Sequence, residues 1–141
     1  MKRITLLTTL ALVLATAGCA SAHKSLARSQ WGRPTEREIT AAKADKVPVI
    51  IAFDADGCHN SYNAKNFFDS TEGRKLLNTA RARAFRVDCT KMTSECKDFM
   101  KQYGATSIPS YVILYSGADR PTVLSDAELT PDSFQSALKA K

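Results

Sequence analysis

The chain has 141 residues, with 20 Lys and Arg against 14 Asp and Glu, and four cysteines. A chain of that length holds one domain with one core and leaves no room for a second. The positive charges are scattered, through Arg28, Arg33, Arg37, Lys43, Lys65, Arg74, Arg81, Arg83 and Lys97. With no dense basic run and no interleaved aromatics, the composition argues against nucleic acid as a partner.

Lys2 and Arg3 precede the apolar run Ile4 to Ala17, the pattern of an export signal and too short to span a membrane as a mature helix. Two processing sites compete after it. Thr16-Ala17-Gly18-Cys19 resembles a bacterial lipobox, in which Cys19 is lipidated and becomes the new N-terminus, and this is the favoured reading. Ala20-Ser21-Ala22 offers ordinary cleavage before His23. Residues 1–22 are thus expected to be signal, 23–32 a polar tether, and 33–141 the folded domain. The expected location is the periplasm, with a membrane surface reached through the lipid. Removal of Lys2 and Arg3 takes 20 basic residues to 18 against 14 acidic ones, a net charge of +4.

Thr35-Glu36-Arg37-Glu38 fits a capping box, and a short helix through Ile39 and Ala42 ends near Asp45-Lys46. Trp31, just before it, is expected to pack as an apolar lid. Val47 to Phe53 lacks polar alternation, so it reads as a strand buried on both faces. Asp54-Ala55-Asp56-Gly57 reads as a turn, with Asp54 and Asp56 serving to form it. A helix follows from about Cys58 to Phe68, a loop at Asp69-Ser70-Thr71, and more helix from Glu72 to Ala80. Ala84 to Asp88 is a second strand. Thr93 opens the next helix, which runs to Tyr103 and closes on Gly104. Ser110 to Tyr115 is a third strand, Ser116 to Asp119 a hairpin turn, and Pro121 to Leu124 the returning strand. Tyr111 and Tyr115 read as packing or groove wall. Thr130-Pro131-Asp132 starts a last helix ending near Lys139. The order predicts an α/β domain whose central mixed sheet is covered by helices on both faces.

The chemistry gathers at Cys58-His59-Asn60-Ser61. A cysteine where a buried strand passes into a helix sits where helix-end N–H groups stabilise a thiolate, the form that attacks disulfides. His59, if protonated, adds to that stabilisation, although it also fits a solvent-facing loop position. Ser61 stands one helical turn on, where a hydroxyl can donate to the thiolate but cannot resolve a mixed disulfide. Apart from Cys19, three cysteines remain, and an odd number in an exported protein suggests one disulfide and one thiol. Cys89 and Cys96, separated by six residues, are the expected disulfide; Cys89 as a remote resolving thiol for Cys58, or the pair as a second redox centre, stays open. Cys58, His59 and Cys89 could also be imagined around copper or zinc, but no CxxC pair, HExxH or second clustered histidine supports it. No metal and no cofactor are expected.

Val47 to Phe53 running into Cys58, Phe85-Arg86-Val87-Asp88, Tyr103 to Pro109, and the hairpin ending at Gly117 together resemble the thioredoxin-like family. The resemblance covers Trp31 to Lys139. Trp31 ahead of a capped helix, with Lys46-Val47-Pro48-Val49, suggests the subgroup similar to the C-terminal domain of the disulfide interchange protein DsbD. It implies a thioredoxin-like fold, with Pro109, after Ile108, in the place of the family's cis-proline and lining the substrate groove. Three departures stand out: Ser61 replaces the second motif cysteine, Gly57 the usual tryptophan, and Ala52 the buried proton-accepting acid. The expected activity is therefore thiol–disulfide exchange of monothiol or isomerase type on cysteine-containing exported proteins or a redox partner protein. The alternative is a redox-inactive module that keeps the fold for binding.

Overall fold

The computed structural model describes residues 30–125 and 128–139, with side chains from Gly32 onward. The expected signal segment, Cys19, the tether as far as residue 29 and the side chain of Trp31 lie outside the described residues. Gln30–Trp31 form a two-residue strand, β1, paired in parallel with Phe85 and Arg86. This corrects the expected tether boundary at residue 32: the backbone of Gln30 and Trp31 is held against the edge of the sheet, and the Gly32 N–H donates to the Arg86 carbonyl.

After β1 come α1 (Glu36–Ala44), β2 (Val49–Asp54), α2 (His59–Asp69), α3 (Thr71–Ala80) and β3 (Arg83–Asp88). α4 (Ser94–Gln102), β4 (Ser110–Leu114), β5 (Thr122–Ser125) and α5 (Pro131–Lys139) complete the domain. The sheet order is β1-β3-β2-β4-β5. β1, β3 and β2 run parallel, while β4 runs antiparallel to β2, and β5 to β4. The sheet is mixed and covered on both faces, as its residue pattern predicts.

α1, α3, α4 and α5 each begin at a side-chain cap that the sequence supplies, and α2 does not. At α1 the Glu38 N–H donates to the Thr35 hydroxyl, and the Thr35 N–H donates to the Glu38 carboxylate at 2.8 Å. Those bonds from Thr35 hold the Glu38 carboxyl below the usual range. Thr93 caps α4. Ser70 both ends α2 and caps α3. Gly73 permits that sharp junction, because any Cβ there would run into the backbone of Phe67 and Phe68. Among the described residues no helix is long and apolar enough to cross a membrane.

The six residues of β2 are all buried, and their pleat divides the core. Val49, Ile51 and Phe53 meet Ala42 of α1, Cys96 and Met100 of α4, and Val112. Ile50 and Ala52 meet Ala64 and Phe68 of α2, Leu77 of α3, and Phe134 and Leu138 of α5. Phe68, Tyr111 and Phe134 pack ring against ring, with centroids 4.6–5.1 Å apart.

Candidate functional site

Parallel β2 and β3 end at the same pole of the sheet, and β4 begins there, so three chain segments converge. Phe53 opposes Ser110 in the antiparallel register, which sets Pro109 beside the end of β2. Asp54 opposes Asp88 in the parallel register, which sets Cys89 at the same end. The turn after β2 delivers Cys58 to the N-cap of α2, with extended backbone (φ −86°, ψ 116°). Its N–H donates to the Ala55 carbonyl and its carbonyl accepts from the Tyr62 N–H. The Cys58 side chain is half-buried, outside any disulfide, and does not cap the helix.

The remaining sequence-derived residues take distinct places. Ser61 is buried, and its hydroxyl accepts from the Ala55 N–H at 3.3 Å, bracing the turn that carries Cys58. His59 is exposed on the first turn of α2. The Ile108–Pro109 peptide is cis, with Pro109 buried and Ile108 packed against the α1/α4 side of the core. Cys89 and Cys96 are joined, with Cα atoms 6.0 Å apart, and both are buried. Among the described residues, no three His, Cys, Asp or Glu side chains are grouped to hold a metal.

The disulfide anchors a loop that is stitched to the thiol turn. The Cys89 N–H donates to the Asp54 carbonyl at 2.7 Å, and the Asp56 N–H donates to the Thr90 hydroxyl at 2.8 Å. Thr90 in turn donates through its N–H and hydroxyl to the Asp88 carboxylate, which lowers the Asp88 pKa. The two loops thus act as one bonded unit, a relation that no short sequence window contains.

Asp54 departs from its expected role. It is the last residue of β2, not part of the turn, and only 8 % exposed. Alternation puts it on the same sheet face as Ala52, one pleat nearer to Cys58. The Tyr111 hydroxyl donates to its carboxylate at 3.1 Å. Burial raises the Asp54 pKa, opposed by the Tyr111 bond and by the charges of Arg86 and Lys65. Tyr111 is raised as well, first by burial and then by the Asp54 charge. Arg86 is buried, donates to the Lys65 carbonyl at 3.2 Å, and pairs with Asp69 at 3.3 Å. Sequence reading missed this polar group because the register that assembles it spans three strands. Its one local signal is an acid directly continuing an apolar strand.

Asp54, Cys58, Ser61, Tyr62, Lys65 and Asp88 line a cleft of about 340 Å³. A larger groove of about 1330 Å³ lies at the other pole, between Val47-Pro48, α3, Tyr115 and α5. No cysteine or histidine lines it. Volume and chemistry point to different poles, and the thiol decides for the smaller cleft.

No family model matches the sequence, and a comparison with curated proteins gives no match. Solved structures do match. A thioredoxin mutant from Halobacterium salinarum is 15 % identical over 81 % of this chain and 90 % of its own, with a TM-score of 0.58. Thioredoxin f from spinach chloroplast is 16 % identical over 81 % and 93 %, with a TM-score of 0.57. The reduced C-terminal domain of DsbD from Neisseria meningitidis is 22 % identical over 71 % and 86 %, with a TM-score of 0.52. Strand order and these likenesses together give the chain the thioredoxin-like fold.

Proposed function

We propose that the protein is an exported thiol–disulfide exchange protein with Cys58 as its single attacking thiol. The observation that carries this reading is a half-buried cysteine outside any disulfide, on a helix N-cap, sharing a cleft with a buried carboxyl group of raised pKa. The Cys58 thiolate attacks one sulfur of a substrate disulfide. A mixed disulfide forms, the substrate S–S bond breaks, and the departing thiolate takes a proton. Asp54, whose pKa is raised by burial, lines the same cleft and is suited to receive the Cys58 proton or return one to the cleft. Ser61 holds the turn and cannot resolve the mixed disulfide, so a thiol of the substrate or of a redox partner completes the exchange. Pro109 lies at the same pole, where an extended substrate segment would run. Substrates are cysteine-containing exported proteins, and a lipid on Cys19 would hold the protein at a periplasmic membrane surface.

The test is the pH dependence of Cys58 alkylation in the intact mature protein, read peptide by peptide by mass spectrometry. A working nucleophile labels with an apparent pKa below the free-cysteine value of about 8.5. The Asp54→Asn variant should shift that profile. Slow labelling at an ordinary or raised pKa would favour instead a binding module that has kept the fold.

A further inference from the structure

The sequence reads Tyr111 as packing or groove wall, and its ring does pack. It stacks on Phe68 of α2 at 5.1 Å and meets Phe134 of α5 edge-on at 5.1 Å. Tyr111 is only 1 % exposed, however, and phenylalanine would fill the same space without burying a hydroxyl. The hydroxyl therefore calls for an account of its own. It donates to the Asp54 carboxylate, 3.1 Å from one oxygen and 3.4 Å from the other. Register makes that reach possible. Ala52 has Tyr111 of β4 on one side and Arg86 of β3 on the other. The small Ala52 side chain leaves the hydroxyl free to extend one pleat further along the same face, to Asp54. Tyr111 also stands two residues after the cis Pro109. It thus touches the end of β2 and the thiol helix from the strand that follows Pro109.

We propose that Tyr111 is a positioning residue for the exchange: its hydroxyl fixes the Asp54 carboxylate in the cleft shared with Cys58 and so governs how readily the thiol gives up its proton. The inference rests on the exchange reading above and adds the group that regulates that site. Asp54 and Cys58 line one cleft, together with Lys65 and the exposed carboxylates of Asp56 and Asp88. Arg86 and Lys65 favour a charged Asp54, and Asp69 opposes it. Cations favour a negative charge on the carboxyl and on the sulfur alike, and anions disfavour both. The hydroxyl differs from all of them, because it bonds the carboxylate itself and so favours charge there. A charged carboxyl in the cleft then opposes a second negative charge on the sulfur, which a protonated carboxyl does not. Burial, and then the Asp54 charge, raise the Tyr111 pKa, so the hydroxyl keeps its proton at every pH where a thiol works. The covalent step is unchanged: Cys58 sulfur bonds to one substrate sulfur, the substrate S–S bond breaks, and the departing thiolate takes a proton.

The test is Tyr111→Phe in the intact protein, which removes the hydroxyl and keeps the ring between Phe68 and Phe134. Two readouts are taken across pH: the Asp54 carboxyl carbon by NMR, and the rate of Cys58 alkylation by iodoacetamide, a neutral reagent. In Tyr111→Phe the Asp54 titration should move to higher pH. Cys58 alkylation on the acid side of neutral should quicken about threefold, the worth of one hydrogen bond to the carboxylate. In an Asp54→Asn background the same Tyr111→Phe change should leave the alkylation rate as it is. A purely structural role for Tyr111 would not depend on the carboxyl in this way. An Asp54 titration that stays in place, or an equal rate change with and without Asp54, overturns the positioning role alone. Slow labelling of Cys58 in the natural protein at an ordinary or raised pKa overturns the exchange reading, and this role with it.

Discussion

Under α1 and α4 the sheet presents Val49, Ile51, Phe53, Phe85, Val87 and Val112, all apolar. Under α2, α3 and α5 it presents Ile50, Ala52 and Ile113 together with the buried polar groups Asp54, Arg86 and Tyr111. Both faces bury large side chains, but among the described residues only the second buries ionisable groups almost completely. Desolvating such groups weakens a fold unless each finds a partner. Here Arg86 is matched by Asp69 and the Lys65 carbonyl, and Asp54 by the Tyr111 hydroxyl. The helix that carries the thiol covers the face that carries the buried charge. The apolar face supports the fold, and the polar face sets the electrostatics beneath Cys58.

That division can be broken from either side. Phe53→Ala empties the centre of the apolar face, where the ring is fully buried against Phe99, and should cost about 3–5 kcal/mol in urea unfolding. A loss under 1 kcal/mol would mean that this face is not the main support. Replacing Cys89 and Cys96 together by alanine removes a short closed loop and should cost about 2–3 kcal/mol. The same change should raise hydrogen exchange at the Asp56 and Cys89 amides, which join the two loops. If those amides stay protected, the loops are held together by something other than the disulfide.

Arg86→Met takes away the donor to the Lys65 carbonyl and the partner of a largely exposed Asp69, and should cost about 1–3 kcal/mol. The smallest effect, and the one that distinguishes the faces best, is on pH dependence. Folding raises the Asp54 pKa above its unfolded value of about 3.9. The stability Asp54 contributes is therefore fully present below that value and is lost as pH rises through the folded pKa. Asp54→Asn should accordingly gain on the natural protein as pH rises from acid toward neutral. Removing Arg86, whose charge lowers the Asp54 pKa, should widen that gain. A gap that instead closes toward neutral pH would show Asp54 to be charged and stabilising.

The fold was legible because its signals are local. The unbroken apolar run of β2, the caps at Thr35, Thr93 and Thr130, and Gly104 each sit within a few residues of what they determine. Cys58, Ser61 and Pro109 stood out for the same reason. Asp54 did not, because an acid after a strand reads as the start of a turn until the pairing of β2 with β3 and β4 buries it. Arg86 looked like an ordinary charged residue in a short strand, since its partners Lys65 and Asp69 lie on α2. β1 falls within the stretch expected as tether because two residues carry no periodicity, and only the edge of β3 makes them a strand.

β1 has one more consequence, for reach. It runs parallel to β2 and β3, so the chain enters the sheet from the pole where those strands begin. Cys58 lies at the pole where they end. Whatever holds the residues before Gln30 therefore grips the domain by its far end, with the thiol presented outward. Under the proposed lipid attachment at Cys19, lengthening or shortening that lead would change how far from the membrane surface the thiol works, without touching the site itself.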